Sequence, residues 1–248
     1  MRLVITGATS GLGAALAKAY AAPGVTLCLT GRDAARLEAV AIACRQQGAE
    51  VVAAVLDVVN RAAMAAWLGS LGPVDLAIAN AGISAGTGGD GESEEQARRI
   101  FATNLDGVLN TIHPLLPGML ARGQGHIALV SSLAGYRGMP GAPAYSASKG
   151  AVRMLGEALR PELLPKGVAV TVICPGFVRT PMTAVNNFPM PFLMEADDAA
   201  QLIKRRLTRG PAQIVFPLPV YLGALLLSML PVRLGGWLLA RAPKKPSQ

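Results

Sequence analysis

The sequence predicts an α/β fold: one doubly wound parallel sheet of about seven strands, with helices on both faces. Three observations carry this. Strand-like and helix-like segments alternate along a chain of 248 residues, which is the pattern of parallel strands joined by helical crossovers. Most strand segments are continuous apolar runs, as strands covered on both faces should be. The first of them runs straight into a glycine turn, Gly7-Ala-Thr-Ser-Gly11-Leu-Gly13, and an Ala-rich helical run follows.

Taken in order, residues 3–6 form a short buried strand and 11–22 the first helix. Strand 25–30 leads to Asp33, placed to cap helix 33–47. Strand 50–56, helix 60–70 and strand 76–80 follow. Residues 82–93, rich in Gly and Ser, read as a flexible loop. A helical stretch over 93–122, one helix or two, precedes strand 126–131. Helix 145–164 contains Gly150, which costs about 1 kcal/mol against Ala, and Pro161, which should kink or end it near Arg160. Strand 169–174, helix 196–208, strand 213–216 and helix 219–240 complete the set.

With 52% hydrophobic residues and no linker, the chain can bury one large core, so residues 1–248 read as a single domain. There is no internal repeat of useful period. The first apolar run is too short for a signal peptide, and Cys28, Cys44 and Cys174 lie far apart in apolar runs. These features lead to the expectation of a cytoplasmic protein with buried free thiols and no metal.

A strand, a glycine turn and a helix start together make a phosphate site, because glycines let backbone approach a pyrophosphate and the helix N-terminus offers free N–H groups. The spacing G-x-x-x-G-x-G differs from the commoner G-x-G-x-x-G. Further along, Ser132, Tyr145 and Lys149 are spaced thirteen and four residues apart. If Tyr145 opens a helix, Lys149 lies one turn on along the same face, where its charge would favour the phenolate. The second strand ends at Thr30-Gly31-Arg32-Asp33. An acid at such a strand end suits a free ribose 2′-hydroxyl and a cation suits a 2′-phosphate, so Arg32 favours NADP(H), or is simply a solvated charge. Asp57 and Asn80 can equally be structural residues at strand ends.

Thr6-Gly7-x-x-x-Gly11-x-Gly13, Asp57, Asn80-Ala81-Gly82, Asn104, Ser132, Tyr145-x-x-x-Lys149 and Pro175-Gly176 occur in one order. In order and approximate separation, over about residues 1–210, the chain resembles the short-chain dehydrogenases/reductases. The resemblance implies a Rossmann-type fold and hydride transfer between a nicotinamide and a carbonyl or secondary alcohol. It implies Tyr145 as acid, Lys149 lowering its pKa and binding ribose hydroxyls, Ser132 polarising the carbonyl, and Asn104 holding a relay water. Gly7, Thr9, Ser10, Gly11, Leu12, Gly13, Arg32, Asp57, Val58, Asn80, Gly82, Tyr145, Lys149, Pro175, Gly176, Val178 and Thr180 would hold the cofactor, with Asp57 on the adenine amine and Thr180 on the carboxamide. Residues 181–208 would be the substrate lid. Its apolar stretch 187–194 suggests a lipophilic ketone, aldehyde or 3-oxoacyl substrate. A homodimer or homotetramer is expected. A catalytically silent, NADP-binding regulatory protein is the alternative, although a pure binder would not need the acid.

Gly82-Ile-Ser84-Ala-Gly86 also matches the nucleophile elbow of serine hydrolases, which requires a strand, a sharp turn and a helix. Thr-Gly-Gly-Asp-Gly follows instead, with only His113 and His126 available as base. After Asp198 the chain holds Lys204, Arg205, Arg206, Arg209, Arg233, Arg241, Lys244 and Lys245 and no acid, so the formal +8 resides in the last fifty residues. No nucleic-acid motif or aromatic interleaving accompanies this charge, which argues against a nucleic-acid partner. The apolar-basic extension over 217–248 is too short and proline-cut to span a bilayer. It could pack in an oligomer interface, cover the cleft, or touch a membrane surface.

Overall fold

A computed structural model describes residues 1–84 and 92–240. Seven strands, β1 (Arg2–Thr6), β2 (Thr26–Gly31), β3 (Glu50–Val55), β4 (Leu76–Ala79), β5 (Gly125–Val130), β6 (Val168–Pro175) and β7 (Gln213–Phe216), pair in parallel in the order β3-β2-β1-β4-β5-β6-β7. The helices are α1 (Gly11–Tyr20), α2 (Ala34–Gln46), α3 (Arg61–Ser70), α4 (Glu94–Phe101), α5 (Gly107–Ile112), α6 (Leu116–Arg122), α7 (Pro143–Leu163), α8 (Pro181–Ala184), α9 (Ala196–Leu207), α10 (Leu218–Met229) and α11 (Val232–Leu239).

Side chains alternate across each strand, so the sheet has two cores. Leu3 and Ile5 of β1 point to one, with Leu16 of α1 and Ile203 of α9. Val4 points to the other, with Met64 of α3, Ile112 of α5 and Val152 of α7. The edge strand β3 departs from the expected covered run: Val52 and Val55 are exposed, while Val51 packs on the core.

Three helical expectations are refined. The stretch 93–122 divides into α4, a π-helical segment over Ala102–Asp106, α5 and α6. Pro161 lies in the last turn of α7, and the helix runs two residues past it. There the missing N–H removes one hydrogen bond of the last turn, and Arg160 is held by the Val170, Gly210 and Pro211 carbonyls. The stretch 219–240 breaks at Pro231 into α10 and α11.

At the amino end of β5, His126 Nε2 lies 2.8 Å from Thr171 Oγ1, whose own proton goes to the Pro211 carbonyl at 2.6 Å. Nε2 must therefore be the donor and Nδ1 unprotonated. Burial, and then the Arg160 guanidinium, depress this imidazole to about 4. Its folded value lies below the unfolded ~6.5, so the unfolded chain binds the proton first. The stability from the neutral ring is complete above ~6.5 and is lost as pH falls through ~4, a loss of about 2–3 kcal/mol. Urea unfolding at several pH values should show this slope, and His126→Gln should flatten it.

Candidate active site

In an open parallel sheet, a crevice forms beyond the carboxyl ends of the strands where the strand order reverses. Here the reversal lies between β1 and β4, and a cleft of about 710 Å³ opens there. Its floor is the turn between β1 and α1. Gly7 takes φ +67° and Gly11 φ +54°, conformations that L side chains resist. A Cβ on Gly13 would fall on the Gly7 carbonyl and the Asn80 amide. The helix start is thereby brought against the end of β1.

Asn80 closes this turn. Its Nδ2 donates to the Thr6 and Gly7 carbonyls at 3.0 and 3.3 Å, while Thr6 Oγ1 accepts from the Asn80 and Ala81 N–H groups. Both strand ends are tied together before any ligand arrives. Arg32, after β2, lies 3.9 Å from Asp57 after β3, and both are well exposed. Such a pair contributes little to stability, and it leaves the guanidinium at the cleft rim. Asp57 also accepts from the Val59 N–H, and Asp33 caps α2 by accepting from the Arg36 N–H.

Ser132 follows β5, and Tyr145 lies in the first turn of α7. The Ser132 hydroxyl accepts from the Ala134 N–H at 3.1 Å and faces the Tyr145 phenol. Ser131 is used otherwise: its buried hydroxyl donates to the Lys149 carbonyl at 2.7 Å. Lys149 is 4% exposed, donates from Nζ to the Val130 carbonyl at 2.8 Å, and sits 5.9 Å from the Tyr145 ring centre. Gly150 explains itself by contact. A Cβ there would press on the Gly135 carbonyl, so the glycine lets the Ser132 loop lie close on α7.

Burial raises the Tyr145 phenol above its ordinary pKa, against the opposing pull of the Ser132 hydroxyl. Burial likewise depresses the Lys149 ammonium, to about 8. Burial sets the direction of the shift at the phenol. At neutral pH the phenol keeps its proton and can donate it.

All the candidate cofactor residues, with Ser132, line this cleft. Asn104 does not. It is wholly buried in the π-helical segment, where Oδ1 accepts from the Ile83 N–H at 2.8 Å and Nδ2 donates to the Ile83 carbonyl and Ser148 Oγ at 2.9 and 3.0 Å. Its amide clamps the loop after β4 to α7. The lid expectation also divides. Pro181, Met182 and Thr183 line the cleft, but α9 buries Ala199, Ala200, Ile203 and Leu207 in the core. Within 187–194, Phe188 packs edge-on against Phe177 and Met194 packs on the core.

Several contributors were not singled out from the sequence. Ile83, Arg99 and Thr103 line the cleft, and Thr183 forms a capping box with Thr180 that the Thr-x-x-Thr spacing could have suggested. Glu92 accepts from the Ala144 N–H at 3.1 Å and so supplies α7 with the cap that Ala142 lacks. That pairing joins positions fifty-two apart and leaves no local signal.

Among the described residues the next helix after Ser84 begins at Glu94, and Gly86 lies outside them. His126 stands at the amino ends of the strands and His113 is exposed beyond α5, so neither can serve Ser84.

A family model described as short chain dehydrogenase matches residues 2–189. An uncharacterized oxidoreductase of Myxococcus xanthus is 42% identical over 218 residues, 86% of each chain. An actinorhodin polyketide ketoreductase solved with NADPH superposes with a TM-score of 0.80 at 26% identity, covering 89% of this chain and 97% of that one. A short chain dehydrogenase from Mycobacterium paratuberculosis bound to NAD gives 0.77 at 26%, covering 86% and 95%.

Proposed function

We propose that this chain, which belongs to the short-chain dehydrogenase/reductase family, is an NADPH-dependent reductase of an apolar ketone, aldehyde or 3-oxoacyl compound. The observation that carries this is the convergence of Tyr145, Ser132 and Lys149 with a glycine turn in one cleft. A protein that only bound the cofactor would have no use for a buried acid.

The residues fit a dinucleotide. The turn at Gly7 to Gly13 leaves room for phosphate oxygens at the start of α1, where N–H groups and the helix dipole face the cleft. Once bound, the dihydronicotinamide supplies the hydride. The chain's own residues do the rest. Ser132 donates a hydrogen bond to the substrate oxygen and orients the carbonyl. Tyr145 gives its phenolic proton to that oxygen as negative charge develops there, so that the carbonyl becomes an alcohol and the tyrosine a phenolate. Lys149, charged below its depressed pKa of about 8, stabilises that phenolate. Asn104 acts at one remove, by holding the Ile83 backbone and Ser148.

Preference for NADPH rests on two residues. Arg32 brings a guanidinium to the rim where a ribose 2′-phosphate would lie. A side chain at Gly31 would overlap the Thr9 methyl, so an acid cannot be accommodated there without displacing Thr9. Arg32→Asp should weaken NADPH binding by roughly 10- to 100-fold while leaving NADH within severalfold. Equal loss for both cofactors, or none for either, would overturn the assignment. For substrate class, NADPH consumption should be followed with carbonyl compounds graded by chain length. Rates that rise with apolar length support the reading; no consumption with any member rejects it.

A further inference from the structure

α10 is apolar all round in sequence, and the fold uses only one of its faces. Val220, Tyr221 and Ala224 pack on Leu133, Val172 and Cys174 behind the Ser132 loop, and Tyr221 meets Tyr136 edge-on at 5.5 Å. The opposite face carries Leu218, Leu222, Leu226 and Met229 at helical spacing, all exposed, Leu226 by 66% and Met229 by 72%. The same surface chemistry continues on α11, where Val232 is 81% and Trp237 56% exposed. None of the described residues after Thr183 lines the cleft, so the hairpin does not cover it.

The elbow between the helices is held rigidly. Arg137, from the loop after Ser132, donates to the carbonyls of Leu230, Pro231 and Val232 at 3.0, 3.5 and 3.3 Å, placing a cation at the carboxyl end of α10. A bare Gly235 makes room for the guanidinium.

We propose that the α10–α11 hairpin is a docking surface for an anionic lipid bilayer, lying in the interface rather than spanning it. Charge selects this occupant. The hairpin's one charged residue is Arg233, Arg241, Lys244 and Lys245 follow in sequence, and no acid occurs after Asp198. Two copies meeting through this face would bring like charges together, whereas an anionic headgroup layer supplies the opposite charge to the basic residues and an apolar layer to the leucines. Trp237 is of the type that sits at such a boundary. No helix among the described residues is long and apolar enough to cross a membrane, which leaves the surface mode.

The test is independent of the reaction. Full-length protein is floated on a density gradient with vesicles of phosphatidylcholine alone or of phosphatidylcholine and phosphatidylglycerol in equal parts. Co-flotation with the anionic vesicles, weaker with the neutral ones and reduced by salt, is expected. Leu222→Glu combined with Leu226→Glu should cut the bound fraction about tenfold or more. Retained NADPH binding and an unchanged thermal transition show that the variant is folded. Should that variant fail to fold, Arg241→Gln, Lys244→Gln and Lys245→Gln together should reduce binding to anionic vesicles alone. No flotation of the parent protein, or equal flotation of the folded variants, overturns the proposal. So does a parent that stays off vesicles but breaks into a smaller species in the Leu222→Glu, Leu226→Glu variant, which assigns the face to a second copy.

Discussion

Tyr145→Phe should lower kcat for carbonyl reduction about 10³-fold or more, with NADPH affinity unchanged. The substitution removes one oxygen and keeps the ring that packs in the first turn of α7. What is lost is the proton that must reach the substrate oxygen as hydride arrives, and a positioned general acid is worth about 10²–10⁴-fold. Ser132 cannot substitute for it, because an aliphatic hydroxyl that gave up its proton would be left as a far stronger base than a phenolate. Burial holds the phenol protonated at neutral pH, so the acid is in the right state before the cofactor binds. Steady-state rates with a reducible ketone, beside a fluorescence titration of NADPH, separate chemistry from binding. A variant that keeps a tenth of the parent rate would end the assignment of Tyr145 as the acid.

Gly13→Ala should abolish measurable NADPH binding and destabilise the fold by about 2–5 kcal/mol, since overpacking and lost hydrogen bonds cost about 1–3 and about 1 kcal/mol each. A single methyl has this effect because its neighbours cannot step aside. One is the Gly7 carbonyl, part of the turn itself, and the other is the Asn80 amide, already bonded to Thr6 and Gly7. Opening the turn to admit the methyl releases Asn80 and moves the N–H groups at the start of α1 away from the phosphates. Gly69→Ala is the control, since a Cβ in that part of α3 meets nothing within 4 Å. Calorimetric titration and thermal melting of both variants check the expectation. Near-parent cofactor affinity in Gly13→Ala would refute the role given to the close approach.

Strand-end residues were legible in the sequence for a physical reason. In a parallel sheet every crossover must return the chain to the same edge, so short apolar runs followed by Gly, Asn, Ser or Pro place their last residues together without any knowledge of packing. Ser132 against Ser131 was settled by spacing, and the structure shows the reason: Ser131 faces the α7 backbone and Ser132 faces Tyr145. Where reading failed, the deciding contact was distant or collective. No local pattern shows that the π-helical segment carries the Asn104 side chain to Ile83 and Ser148. Residues 196–208 were read with the lid, but α9 faces α1 across a shared core.

By itself the sequence determined the doubly wound sheet, the glycine turn, the Ser132, Tyr145 and Lys149 set, and the concentration of charge after Asp198. Those properties reside in local pattern, spacing and composition, which the chain carries before it folds. Only the tertiary structure decided that burial raises the Tyr145 phenol, that Thr9 closes position 31 to a side chain, and that α10 spends one apolar face on the Ser132 loop while leaving the other exposed. Desolvation, steric exclusion and the choice of which face is covered depend on what surrounds a residue, and those surroundings are assembled from parts of the chain that are far apart in sequence.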